Sequence, residues 1–99
     1  MEITSKQRAK LRGMAQNIDA IAQFGKNELS DEQIVMVDQM LTKRELIKCS
    51  GLENSPYTAR ELAGLLAEKT NAIAVDAIGR KFVLYRESKD NKQIVLPKK

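Results

Sequence analysis

Apolar residues recur at helical spacing in three segments of the chain, and each segment opens with the same capping signal. In the first, apolar side chains from Leu11 to Ile18 occupy the i, i+3, i+4 and i+7 positions of one helical face. Thr4 and Gln7, three residues apart, form a capping box that starts this segment. The pattern predicts a helix over residues 5–17.

The second and third helical segments follow the same rule. Ser30 with Gln33, and Thr58 with Glu61, are capping boxes that directly precede apolar residues at helical spacing. The third pattern predicts a helix that reaches Thr70.

Short runs of apolar residues between these helices predict four strands. The runs cover residues 20–24, 45–52, 72–78 and 82–85, and the last two are joined only by Gly79, Arg80 and Lys81. The order is therefore α-β-α-β-α-β-β, an α/β fold with a four-stranded mixed sheet. Two β-α-β units predict that strands one, two and three run parallel with right-handed crossovers, and the terminal hairpin makes strand four antiparallel.

Length and composition fit one domain that spans residues 1–99. A chain of 99 residues with 42% hydrophobic content supports one modest core, and two domains would leave both cores too small. Residues 87–99 contain four lysines and Pro97, with only Ile94, Val95 and Leu96 to bury. The sequence leaves two alternatives for this tail, a flexible basic arm or a weakly docked extension.

Several classes of protein are disfavoured. No apolar run approaches the ~20 residues that cross a bilayer, and the first residues lack a secretory signal pattern, so we expect a cytoplasmic monomer without membrane contact. The single cysteine, Cys49, has no disulfide partner within the chain, and histidine is absent. Scattered carboxylates such as Asp31, Glu32 and Asp76 form no catalytic motif, so we expect no enzyme activity, no cofactor, no metal and no small-molecule substrate.

Charge is segregated along the chain. The net charge is +4 overall, but residues 1–27 carry +3, residues 28–76 carry −4 and residues 77–99 carry +5. If the fold brings the two basic ends together, they form one positive face suited to a polyanion. An ordinary solvated surface is the alternative.

A glycine and a lysine directly follow the first predicted strand. Gly25 allows close approach of a phosphate, Lys26 adds a full charge, and Asn27 lies in the same loop before a helix N-terminus. Such a loop is typical of an anion site, although a strand-to-helix turn also uses glycine for conformational reasons alone.

The first helix carries four cations at helical spacing. Lys6 with Lys10, and Arg8 with Arg12, are like-charge i, i+4 pairs on the two flanks of the apolar stripe. Such pairs are mildly destabilising, which favours retention for an anionic partner. Solvated helix flanks remain the alternative.

Four ordered motifs resemble the CRM-domain family, the chloroplast RNA splicing and ribosome maturation domain, which bacteria have as a stand-alone YhbY-type protein. The match covers roughly residues 3 to 97. The motifs are TSKQR at 4–8, FGKNELS at 24–30, ELIK at 45–48 and IGRKFVLYR at 78–86.

This resemblance implies an RNA-binding module with a fold similar to the C-terminal domain of bacterial initiation factor three. It further implies a ribosome assembly factor whose partner is ribosomal RNA in precursors of the large subunit. The family's loop reads glycine-lysine-any-glycine; Gly25 and Lys26 match it, and Glu28 stands in place of the second glycine.

The hairpin motif adds further candidates for RNA contact. Arg80, Lys81 and Arg86 on the hairpin, with Lys48 on strand two, are expected to offer donors to phosphates or bases. Because the chain has only two Phe and two Tyr, recognition should depend on backbone charge and RNA shape. A protein-interaction adaptor on the same scaffold is the alternative function.

Overall fold

The computed structural model describes residues 3–26, 29–88 and 92–97. Its elements follow the predicted order α-β-α-β-α-β-β. None of the described helices is long and apolar enough to span a membrane. The elements are α1 (Ser5–Ala15), β1 (Ala20–Phe24), α2 (Asp31–Arg44), β2 (Leu46–Gly51), α3 (Ala59–Thr70), β3 (Ile73–Ile78) and β4 (Lys81–Tyr85).

All three predicted capping boxes are present, each with both of its reciprocal hydrogen bonds. They fix where the helices begin because each satisfies amides that have no partner in the first turn. The predicted end of the first helix is wrong by two residues. The amides of Gln16, Asn17 and Ile18 donate to carbonyls only three residues earlier, so the helix tightens and stops at Ala15.

The sheet has the strand order β1-β2-β4-β3. β1 and β2 are parallel neighbours, and β4 is antiparallel to both β2 and β3. The first three strands thus share one direction, as predicted, but β4 lies between β2 and β3. The hairpin can turn back because Gly79 adopts a φ of 61°, which glycine reaches at little cost.

Each face of the sheet has its own apolar core. α2 and α3 cover one face, where Phe24, Phe82 and Leu66 are almost completely buried. α1 covers part of the other face, where Leu11, Val83 and other apolar side chains pack together. Alternation along β4 serves both cores, since Phe82 and Leu84 face one side while Val83 and Tyr85 face the other.

The described part of the C-terminal tail is docked on α1. Ile94 is buried in the α1-side core. Gln7 Nε2 donates to the carbonyl of Pro97 at 2.8 Å, and Lys10 Nζ donates to the carbonyl of Val95 at 2.8 Å. The tail therefore adds a cover to one flank of α1.

One buried carboxylate, that of Glu45, also holds the tail. Its side chain accepts hydrogen bonds from the backbone amides of Ser88 and Ile94 at 2.8 Å each, and from that of Gln93. Glu45 was predicted to begin the second strand, but it is the C-cap of α2 with a φ of 63°. It thus joins the end of α2 to the segment that follows β4.

Candidate nucleic-acid interface

Three connecting segments meet at one edge of the sheet, which we call the loop edge. β1 and β2 are parallel and end at the same edge. There the amide of Leu52 donates to the carbonyl of Phe24 at 2.8 Å, and the amide of Gly51 donates to that of Arg80 at 2.7 Å. The loop edge consists of Gly25 and Lys26 after β1, Leu52 and Glu53 after β2, and Gly79 and Arg80 in the β3–β4 turn.

Gly25 has no conformational need to be glycine in this structure. Its φ lies outside the left-handed region, and a Cβ would meet Leu52 Cδ1 at 3.6 Å and Asn54 Oδ1 at 3.8 Å, both ordinary contacts. The interpretation that this glycine only permits a turn therefore loses its support. Close approach of a ligand to the backbone remains a reason for its identity.

Lys26 and Arg80 bring two cations to the loop edge. Lys26 is exposed, and Arg80 Nη2 lies 3.7 Å from Glu53 Oε1 with side chains 63% and 85% exposed. Such a surface pair contributes little, so a phosphate can replace Glu53 at small cost. Asn27 and Glu28 lie outside the described residues, and the expectations for them stay predictions.

Beside the loop edge, a groove separates the C-terminal half of α1 from the sheet. We call it the α1 groove. It is lined by Arg12 and Gly13 of α1, the C-cap residue Gln16, Lys48 of β2, Asp76 and Ile78 of β3, and Lys81 and Val83 of β4.

Strand register sets the floor of the α1 groove. Each of two rows of paired positions crosses β2, β4 and β3 on the face toward α1. The rows are Lys48, Val83, Asp76 and Ser50, Lys81, Ile78. Neighbouring strands lie about 4.8 Å apart, so the outer members of a row are separated by about 10 Å. The floor thus has a cation on one side, a carboxylate on the other and an apolar centre at Val83.

The three cations of the α1 groove differ in whether they have a hydrogen-bond or ion-pair partner among the described residues. Arg12 and Lys81 are exposed and form no ion pair with any residue that the structure describes. Lys48 Nζ donates to the carbonyl of Ala15 at 3.2 Å, where it stabilises the end of α1. Lys81 directly follows Arg80, so the α1 groove adjoins the loop edge at the β3–β4 turn.

Two of the predicted RNA-binding arginines have partners within the protein. Arg8 Nη1 donates to the carbonyls of Ala74 and Val75 at 2.8 and 2.7 Å, where the β3 register shifts. Arg86 Nη1 donates to Asp38 Oδ1 at 2.5 Å and to the carbonyl of Thr70 at 2.7 Å. These contacts give Arg8 and Arg86 structural roles within the protein.

Lys6 is exposed in the first turn of α1. The structure therefore separates the predicted residues into three sets. Gly25, Lys26 and Arg80 lie at the loop edge; Arg12, Lys48 and Lys81 line the α1 groove; Lys6, Arg8 and Arg86 lie in neither.

Neither stacking aromatic rings nor a reactive thiol is available at this surface. Phe24, Phe82 and Tyr85 are at most 2% exposed, and Tyr57 packs partly against the α2–α3 core. Burial raises the pKa of Cys49 to about 12, so its thiol stays protonated. The described residues contain no cluster of His, Cys, Asp or Glu that could hold a metal ion.

Sequence-based reasoning missed two residues of the α1 groove. Asp76 was considered only as a scattered carboxylate, and Ile78 only as a strand residue, yet Ile78 is 72% exposed beside Lys81. The available signal was alternation, because Asp76, Ile78 and Lys81 are expected on one face once the hairpin register is known.

Comparisons with known proteins show the family of this chain. The family model described as the CRS1 / YhbY (CRM) domain matches residues 3–86. Probable RNA-binding protein YqeI of Bacillus subtilis is 40% identical over 95 residues, which are 96% of this chain and 99% of that protein. An RNA-binding protein of Haemophilus influenzae is 30% identical over 97 residues, which are 98% of this chain and 97% of the relative.

A solved structure shows the same fold. The solution structure of the hypothetical protein SAV1595 from Staphylococcus aureus, put forward as an RNA binding protein, matches with a TM-score of 0.80 and 45% identity. The match covers 97% of this chain and 100% of that one. With the family model extending from α1 to the end of the hairpin, this chain belongs to the CRS1/YhbY (CRM) domain family.

Proposed function

We propose that this protein binds RNA through the loop edge and the α1 groove, without catalysis. The observation that carries the proposal is the meeting of Lys26 and Arg80, which are far apart in sequence, at one edge of the sheet beside Lys81 and Arg12. The names of the two curated relatives, both RNA-binding proteins, support the same partner.

The mode of binding follows from the side chains on this surface. Lysine and arginine contact phosphate oxygens, and the absence of a Cβ at Gly25 allows a phosphate to come close to the backbone. Because Phe24, Phe82 and Tyr85 are buried and Tyr57 packs partly against the α2–α3 core, affinity depends on charge and RNA shape, and it falls steeply with salt.

The RNA that we propose is ribosomal RNA in precursors of the large subunit, where binding holds a precursor conformation during assembly in the cytoplasm. This follows from the resemblance that the four sequence motifs carry. Crosslinking of the protein to cellular RNA, followed by sequencing, tests it: large-subunit precursor RNA should be enriched over small-subunit RNA. Equal recovery of both would contradict this assignment.

Removing both cations of the loop edge should weaken RNA binding. For Lys26→Ala with Arg80→Ala, we expect about a tenfold or greater loss of affinity and a log-log salt slope shallower by about 1 to 2 units, since two phosphate contacts disappear. Fluorescence anisotropy with fragments of precursor RNA at several salt concentrations measures both quantities.

The matched control removes two cations from the opposite edge of the sheet. Arg44 and Lys69 are exposed in the last turns of α2 and α3, and Arg44→Ala with Lys69→Ala should keep the wild-type slope. Equal losses in the two double variants would mean that net charge alone matters. Failure of the wild type to bind RNA at low salt would favour the protein-interaction adaptor.

Substitution of Gly25 by alanine distinguishes an effect on the stability of the fold from an effect on RNA binding. Gly25→Ala should change the free energy of unfolding by less than about 0.5 kcal/mol, because its new contacts are ordinary. RNA affinity should fall several-fold, since the Cβ blocks close approach of a phosphate to the backbone. Urea unfolding and anisotropy measure the two effects; unchanged affinity would remove Gly25 from the interface.

A further inference from the structure

The α1 groove has the chemistry of a site for a single nucleobase. Its floor is apolar at Val83 and Ile78, and its rim carries Arg12 and Lys81, which form no ion pair with a described residue. Among the groove-lining residues, one carboxylate, that of Asp76, stands among three cations. A surface that bound only phosphates would gain nothing from a carboxylate at this position, because it repels them.

Asp76 is available to accept hydrogen bonds. Its Oδ1 accepts from the amide of Ala77 at 3.0 Å, and it forms no ion pair with a residue that the structure describes. A carboxylate offers about four acceptor positions, so most remain for a ligand. A neighbouring group that donates two parallel N–H bonds would satisfy them best.

We propose that the α1 groove holds one unpaired guanine of the bound RNA, with its N1–H and N2–H groups donating to Asp76. This inference rests on the proposed RNA-binding function and adds base specificity to it. Guanine is the base that places two donors side by side on its Watson–Crick edge, matching the two oxygens of a carboxylate. Adenine and cytosine set a donor beside a ring acceptor there, and uracil sets one donor between two acceptors.

The opposite side of the groove matches the rest of guanine. O6 and N7 of guanine are acceptors, and arginine or lysine is their usual partner. Lys48 lies across Val83 from Asp76, at a backbone separation of about two strand spacings, and Arg12 of α1 lines the same groove. Lys81, on the row toward the loop edge, contacts the adjoining phosphate, so the strand continues from the groove to Arg80 and Lys26.

Apolar contact takes the place of aromatic stacking. Ile78 is 72% exposed although it lies on the face of the sheet toward α1. Gly13 lines the groove on the α1 side and, having no side chain, leaves space there. The base lies against Ile78 and Val83, which gives the exposed isoleucine a partner. Removal of this apolar surface from water favours the bound state.

The test uses the full chain and oligouridine RNAs that carry one central guanine, adenine or inosine. Inosine lacks only the N2 amino group. For the wild type, anisotropy should give about tenfold tighter binding of the guanine RNA than of the adenine RNA, with inosine between them. In Asp76→Asn this ratio should fall to about one, since an amide presents a donor where one carboxylate oxygen was.

Glu68→Gln is the matched control, because it removes one exposed negative charge from α3, on the other face of the sheet, and should keep the preference for guanine. An NMR titration locates the base: the amide resonance of Ala77, which donates to Asp76, should shift with the guanine RNA and not with the adenine RNA.

The possible outcomes distinguish failure of the base site from failure of the proposed RNA-binding function. RNA binding with no guanine preference, or a preference that survives in Asp76→Asn, overturns the base site and leaves the proposed function intact. No RNA binding by the wild type overturns both. Loss of the preference in Glu68→Gln as well as in Asp76→Asn would show that it depends on net charge, which also overturns the site.

Discussion

Glu45→Ala is expected to lower the free energy of unfolding by about 3 kcal/mol. The Glu45 side chain is completely buried and accepts three backbone amides, those of Ser88, Gln93 and Ile94. Removing a buried acceptor leaves these donors without a partner, at about 1 to 3 kcal/mol for each group. The loss is bounded because the tail can undock and let water solvate the amides.

The effect of Glu45 should depend on pH. Burial by itself raises the pKa of this carboxyl, but the amides of Ser88, Gln93 and Ile94 and the charge of Lys92 outweigh it, so the pKa lies below its ordinary value of 4.5. A carboxyl with a lowered pKa stabilises the folded state above its unfolded pKa and loses this contribution as pH falls through its folded pKa.

Urea unfolding of wild type and Glu45→Ala at neutral pH and well below pH 4.5 measures this dependence. The difference between the two proteins should shrink at acidic pH. Glu68→Ala, at an exposed site on α3, is the control and should differ little from wild type. A difference that stays constant with pH would mean that the carboxylate charge contributes nothing.

Backbone strain at Glu45 can be separated from the loss of its carboxylate. Glycine adopts a positive φ readily, whereas alanine keeps the strain of the φ of 63°. Glu45→Gly should therefore be about 1 kcal/mol more stable than Glu45→Ala, although both lose the three hydrogen bonds.

Arg86→Met should lower the free energy of unfolding by about 2 to 4 kcal/mol while leaving RNA affinity at the wild-type level. The guanidinium joins three segments, since it donates to Asp38 at the carboxylate and carbonyl, to the hydroxyl of Thr42 and to the carbonyl of Thr70. The Arg86 side chain is only 21% exposed. Loss of the guanidinium leaves the partly buried carbonyl of Thr70 without this donor and removes three exposed contacts with α2.

Lys69→Met is the control for Arg86→Met, because it removes one exposed cation next to Thr70, whose carbonyl Arg86 contacts, and should not change stability measurably. Anisotropy with precursor RNA completes the test. A fully stable Arg86→Met protein with weakened RNA binding would return Arg86 to the interface and contradict its structural role.

Features that depend on residues close in sequence were predictable. The three capping boxes act over three positions, and helical periodicity over one or two turns, so the start of each helix followed from the sequence. The end of α1 did not, because Ile18 continues the apolar spacing although the backbone has already turned at Ala15.

Side-chain contacts between distant residues were not predictable. The amides that donate to Glu45 lie 43 to 49 positions later in the chain, so nothing near Glu45 in the sequence indicates these hydrogen bonds. The sequence shows the charges of Arg8 and Arg86 but not the carbonyl groups that accept their hydrogen bonds. Those carbonyls belong to β3 and to the end of α3, far away in the sequence. Similarly, Asp76 joins the α1 groove only through the hairpin register.

The position of β4 between β2 and β3 has a consequence for how the chain folds as it is synthesised. β3 pairs with β4 and not with β2, so it has no partner in the sheet until Lys81–Tyr85 is available. The same strand supplies Phe82 and Leu84 to one core and Val83 and Tyr85 to the other. Neither core can close on a nascent chain that ends before this strand, so the native state forms only after Tyr85 has left the ribosome.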